Sequence, residues 1–265
     1  KKGRRKKKEF VGEKGGVPPR HRGGATKTPG RGVGVVGAGA PGALLCGDAT
    51  ADVIDEAIAR GCTLVMTHHP LLFHGVKCVS GRNRPEVVLA KAIQSGICIY
   101  SSHTALDAAV GGISRRMARM LGLTDVKVLV PSRPGAQEGL GAVGNLPQPM
   151  EPMRFLQFVK AVFGSVALRY SLPVPDVAIS RVALCGGAAG EFVPEAIAAG
   201  AQVYLTADCK HNQMLDHADR ILLVDAGHYE TEQCATQIFL EILTEKFPNF
   251  AVAKSQACHN PVACL

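Results

Sequence analysis

At 265 residues, with 46% hydrophobic and few aromatic side chains, the chain can bury one large α/β core or two modest ones. Its nine cysteines are scattered singly, without a C-x-x-C pair or a secretory signal. This argues against a disulfide framework and for a reducing cytoplasm, and no run approaches the roughly 20 apolar residues of a membrane span. The formal charge of +8 is concentrated at one end: residues 1–34 hold twelve Lys/Arg against two Glu, which leaves the other 231 residues at −2.

Residues 1–34, rich in Gly, Pro and basic side chains, are therefore expected to form a disordered extension. They would bind polyanions only weakly and in a salt-dependent way, so nucleic acid is not an expected partner of the folded region. The chain begins at Lys1 without a Met. That suits a fragment, or translation from upstream of Val33, as well as it suits a functional arm. The segment Val33 to Gly42 contains G-x-G-x-x-G at Gly37, Gly39 and Gly42. A dinucleotide fingerprint must open directly into a helix, but the apolar run Ala43 to Cys46 follows, so a plain loop before a strand is expected.

From Thr50 the pattern is regular. A capping residue precedes Val53, Ile54, Ala57 and Ile58 at helical spacing, Gly61 stops the helix, and Thr63 to Thr67 reads as a buried strand ending in His68-His69-Pro70. A second unit follows, with a helix over 85–94, Gly96, and a strand from Ile97 to Tyr100 that runs into S-S-H-T-A-L-D-A. Residues 35–125 make a first α/β half. The texture changes over 126–181, where prolines, G-L-G-A-V-G, a helix over 153–163 and a strand-like 167–170 suggest a smaller inserted α/β subdomain. The rhythm resumes over 182–265 as a second half, with strands at 182–185, 203–206 and 221–224 and a helix from Pro194 to Ala199.

The two halves echo each other. Glu56 to His69 and Glu195 to Asp208 match at six of fourteen positions, and each is followed, after the next strand, by His-x-x-x-acid: His103 with Asp107, and His228 with Glu232. Such a duplication would set the two elements across one cleft.

Ligand-type residues thus gather just past strand ends, where open α/β sheets place their sites. Neighbouring strand residues point to opposite faces, so His68 and His69 suit different ions. His228 and Glu232, at i and i+4, share a helix face if a helix begins near Gly227, while Glu230 points away. Glu232 is therefore the carboxylate chosen to bridge two ions, and Asp107 adds a hard oxygen ligand. Imidazole and carboxylate without cysteine suit two divalent ions of Zn, Mn, Fe or Ni.

The runs T-H-H-P-L-L-F, S-S-H-T-A-L-D-A, A-L-C-G-G-A-A-G and D-A-G-H-Y-E-T-E-Q, in this order over about 44–265, resemble the Nif3-like dinuclear-metal family, also described as GTP cyclohydrolase 1 type 2 homologs. The resemblance implies a Nif3-like α/β fold, a toroidal homohexamer and metal ligands at His68, His69, Asp107, His228 and Glu232. It further implies hydrolysis like that of GTP cyclohydrolase at the imidazole carbon of a purine nucleotide, with His103 as a proton-handling catalytic residue or a group orienting Asp107. The other reading is a metal-binding hexameric scaffold or regulator without turnover. Two departures stand out. The strand and G-L-L-V-G-type segment expected before the first helix are replaced by the basic Gly/Pro-rich stretch, and T-G-D-x-K-Y-H appears as T-A-D-C-K-H-N, with Asn212 in place of a histidine. Lys77 and Lys210 are candidates to meet a small anionic substrate.

Overall fold

The computed structural model describes residues 30–33 and 40–265. Five strands form the first sheet: β1 (Gly30–Val33), β2 (Gly42–Cys46), β3 (Leu64–Thr67), β4 (Cys98–Ser101) and the C-terminal β11 (Ala251–Lys254), in the order β1-β4-β3-β2-β11. All pairs are parallel except β1 with β4. Helices α1 (Ala51–Ala59) and α2 (Arg84–Gln94) cover one face. Thr50 caps α1 by accepting from Val53 N at 3.2 Å, and the buried stripe Val53, Ile54 and Ala57 packs against Leu44, Val65 and Ile99 of the sheet.

The second sheet has six strands, β5 (Thr124–Pro131), β6 (Gly139–Met150), β7 (Arg169–Tyr170), β8 (Ile179–Ala188), β9 (Val203–Ala207) and β10 (Leu222–Asp225), in the order β5-β6-β8-β9-β10-β7. Helices α3 (His103–Ala108), α4 (Ile113–Met120), α5 (Pro152–Phe163), α6 (Val193–Ala198), α7 (His211–Asp216), α8 (His228–Glu232) and α9 (Ala235–Lys246) complete the chain. The period of two divides each central strand between two cores. Val182, Leu184, Val203, Leu205, Leu222 and Val224 face a large core that also holds Leu45, Ile113, Met117, Phe155 and Phe239. Ala183, Tyr204 and Leu223 face a smaller one with Val193 and Ala196 of α6. The sharing of Leu45 with the second sheet's core ties the halves together.

The parallel trio β2-β3-β4 has its counterpart in β8-β9-β10. Helix α1 leads into β3 as α6 leads into β9, which is the sequence echo seen in three dimensions. Among the described residues no helix is long and apolar enough to cross a membrane.

Three details differ from the boundaries expected. Gly30–Val33, inside the supposed extension, is strand β1 on the edge of β4. The rest of that extension and residues 34–39 of the glycine loop lie outside the described residues. The strands of 126–181 do not make a sheet of their own: β6 pairs with β8, and β7 with β10, because the open edges of the parallel trio need partners for their backbone groups. Likewise β11 leaves the second half and returns to the free edge of β2.

Strand β1 carries a testable consequence. Deleting residues 1–29 should leave the thermal midpoint unchanged, whereas deleting 1–33 exposes the edge of β4. The longer deletion should lower the midpoint by about 2–4 °C in a thermal melt.

Candidate metal centre

Backbone pairing carries the His-His pair past the end of β3. His68 N donates to Cys46 O at 3.2 Å and His69 N to Gly47 O at 2.9 Å, so both residues still follow the line of β2. The buried hydroxyl of Thr67 donates to His69 O at 2.6 Å and lies 2.7 Å from the Ser101 hydroxyl, pinning the ends of β3 and β4 together. Helix α3 begins immediately beyond β4 and carries His103 and Asp107. In the other half β10 ends at Asp225, Gly227 turns the chain at φ 94°, and α8 presents His228 and Glu232 one turn apart. Thr231 of that helix accepts from Gly187 N at 3.1 Å. Gly187 itself, at φ 66°, passes so close that an added Cβ would stand 2.1 Å from Glu232 Oε1.

The side chains meet around Glu232. His68 Nε2 is 3.5 Å from its Oε1 and 3.6 Å from Asp107 Oδ1. His69 Nε2 lies 2.9 Å and His228 Nε2 3.0 Å from Oε2, and these two nitrogens are 3.2 Å apart. Each carboxylate oxygen therefore belongs to a different group: His68, Asp107 and Glu232 on one side, and His69, His228 and Glu232 on the other. In each group the ligand atoms lie within 4.8 Å of one another, and His103 joins His68 and His69 in a third such group. The ring of His103, 9% exposed, sits 5.1 Å from that of His68 and 5.6 Å from that of His69, with Phe73 edge-on at 5.9 Å.

His68 tests whether a cation belongs here. It is 1% exposed, yet both ring nitrogens are without a hydrogen-bond partner, a costly arrangement for a buried polar group. A divalent ion between His68, Asp107 and Glu232 would satisfy Nε2, and the nitrogen-and-oxygen donor set suits such an ion.

The protonation states of the metal-free site reflect the same crowding. Burial depresses the pKa of His69, but hydrogen bonds to Asp48 and Glu232 and their negative charges outweigh it and raise it to about 10. His228 is likewise depressed by burial, then raised to about 9 by Glu232 and Asp208. Burial favours protonated Glu232, but the three imidazoles around it, His228 and His69 in hydrogen-bond contact and His68 at 3.5 Å, hold its carboxyl far below the usual range. At pH 7 this pair of histidines thus carries protons where an ion would sit. Binding of Zn²⁺ to metal-free protein at pH 7 should release at least one proton per chain, and affinity should rise with pH up to about pH 10, where His69 has lost its proton. Calorimetry in buffers of different ionisation enthalpy measures the release, and its absence would mean that His69 and His228 are not ligands.

The site opens into a cavity of about 610 Å³ walled by Tyr229, Arg169, Lys254 and, near the C-terminus, Cys258, Asn260, Pro261 and Val262. Neither Lys77 nor Lys210 lines it, and neither does Asn212. The cations that do are Arg169, already paired with Asp225, and Lys254 on β11, whose ammonium donates to Gln237. Nothing in the sequence around Lys254 marks it, because only the return of β11 to the first sheet brings it here. The sequence does not single out Asp48 either, which lies 3.3 Å from His69 Nδ1 and follows the end of β2 as the other site residues follow theirs.

Comparison with known proteins gives the family. The family model Duf34/NIF3 (NGG1p interacting factor 3) matches residues 27–261. The chain belongs to the DUF34/NIF3 family. Within it, the chain is 36% identical over 203 residues to a protein of Nostoc sp. named GTP cyclohydrolase 1 type 2 homolog, covering 76% of each. It is 31% identical over 199 residues to Protein NIF3 homolog of Schizosaccharomyces pombe, covering 72% of this chain and 70% of that one. The solved structure of a Bacillus cereus protein related to NIF3 superposes with a TM-score of 0.80 at 21% identity, over 90% of this chain and 93% of that one. A Staphylococcus aureus protein of known structure superposes with a TM-score of 0.81 at 22% identity, over 90% and 92%. These likenesses extend the NIF3 fold to this chain.

Proposed function

We propose that the chain holds two divalent metal ions and is a metal-dependent hydrolase acting on a nucleotide or a related anionic substrate. The observation that carries this reading is Glu232, whose two oxygens face two different sets of ligand atoms, as a bridging carboxylate requires. Two such cations would supply positive charge to a developing anion and lower the pKa of water. The chain's own side chains do the rest. His68 and Asp107 hold one position, His69 and His228 the other, and Glu232 joins them. His103, beside both positions and nearly buried, moves a proton at its ring nitrogen. The cavity is of a size to enclose a nucleotide, and the relatives' name, GTP cyclohydrolase 1 type 2 homolog, supports that substrate class.

The nine cysteines are all free thiols, which suits a reducing cytoplasm, and the family resemblance supports a homohexamer. The test is metal analysis of purified protein combined with a hydrolysis screen on purine nucleotides and phosphoesters. Two ions per chain with nucleotide turnover lost in His103→Ala supports the reading. Two ions with no turnover would leave a metal-binding scaffold instead.

A further inference from the structure

Two carboxylates that belong to neither ligand group stand directly behind two of the histidines. Asp208 Oδ2 lies 2.7 Å from His228 Nδ1, and Asp48 Oδ1 lies 3.3 Å from His69 Nδ1. In both rings the opposite nitrogen, Nε2, is the one that meets Glu232 Oε2. Each acid stands just beyond the carboxyl end of a strand, Asp208 after β9 and Asp48 after β2.

Asp208 has a second distinguishing feature. Its backbone sits at φ 53°, one of two non-glycine residues with positive φ among those described, in a region that costs an L-residue free energy. In the sequence echo of the two halves it occupies the position of His69 itself. The second half thus carries an acid where the first half carries a ligand-type histidine, and the acid faces the histidine of α8.

We propose that Asp208, like Asp48 behind His69, is a positioning residue of the metal centre, an inference that rests on the two-ion reading above. By accepting from Nδ1–H, each carboxylate fixes the tautomer and the ring orientation that leave Nε2 aimed at the ion, and it makes that nitrogen a stronger donor. The unfavourable backbone of Asp208 is maintained because it delivers the carboxylate to His228. Since Asp208 is 57% exposed in its side chain, its replacement removes little packing.

The decisive variant is Asp208→Gly, which relieves the positive φ while deleting the carboxylate. Three quantities are measured on parent, Asp208→Gly, Asp208→Asn and Glu232→Gln: Zn²⁺ affinity, thermal midpoint of the metal-free protein, and the nitrogen-15 shifts of the His228 ring in metal-free protein. For Asp208→Gly, affinity should fall about 10–100-fold while the midpoint stays within about 2 °C of the parent or rises. The His228 Nδ1–H signal should lose its hydrogen-bonded shift. Asp208→Asn, which keeps an acceptor oxygen, should recover part of the affinity. Unchanged affinity in Asp208→Gly overturns the proposal, as does a loss of affinity matched by a loss of stability, which would make Asp208 a structural residue. If the parent binds no Zn²⁺ the two-ion reading falls, and the ring shifts still decide whether Asp208 orients His228.

Discussion

Glu232→Gln should remove at least one of the two proposed ions from each chain. The substitution retains size and hydrogen-bonding capacity but deletes the charge that both ligand groups share, and a carboxylate joining two cations has no neutral substitute. Glu232 is 8% exposed and surrounded by His68, His69 and His228. The natural control is Glu230→Gln, two residues away on the same short helix. Its carboxylate turns to the C-terminal segment and accepts from Asn260 Nδ2 at 3.0 Å, so that variant should keep both ions. His228→Ala, which empties one ligand group only, should weaken one position. Metal-to-protein ratios after dialysis against a weak chelator read all three, with circular dichroism to establish that each variant is folded. Two ions retained in Glu232→Gln would remove the basis of the proposed function.

Gly187→Ala should abolish metal binding more completely than any change on the surface of the cavity. The new methyl would stand 2.1 Å from Glu232 Oε1 and 3.4 Å from His228 Nε2, so Glu232 must leave its place. The backbone at φ 66° adds about 1–2 kcal/mol for an L-residue in the left-handed region. Gly200→Ala separates the two costs, because Gly200 has φ 73° and nothing within 4 Å of the added carbon. Both variants should lose about 1–2 kcal/mol in denaturant melts from the torsion alone, and Gly187→Ala should lose more. Only Gly187→Ala should lose its metal. Equal metal content in the two would mean that Glu232 can shift without consequence.

Much of the site was legible because it is built from local rules. The alternation of helix and strand marked where strands end, and in an open α/β sheet those ends are where side chains converge. The i, i+4 spacing singled out Glu232 over Glu230, and the structure turns the two glutamates in different directions for that reason. Thr50, Val53, Ile54 and Ala57 announced α1, and the structure begins that helix at Ala51.

Other features depend on contacts between residues far apart in the chain, which a local pattern does not encode. Gly187 is one of an ordinary-looking Gly-Gly pair near the end of β8, and its closeness to Glu232 arises only because α8 packs there. Asp208 reads as a loop acid until β9 and β10 lie side by side and bring it to His228. By sequence Lys77 and Lys210 are the candidates to meet a substrate, yet Lys254 is the lysine on the cavity wall, because β11 crosses to the free edge of β2.

The sequence by itself determined the α/β class, the ligand-type residues at strand ends and the family resemblance, since each follows from periodicity, spacing or short motifs. Tertiary structure alone decided how the strands of 126–181 join the second sheet, that Gly30–Val33 belongs to the fold, and which acids stand behind the histidines. Those outcomes depend on which sheet edges are open and which backbones pass close enough to exclude a Cβ, and both are properties of the packed chain rather than of any segment of it.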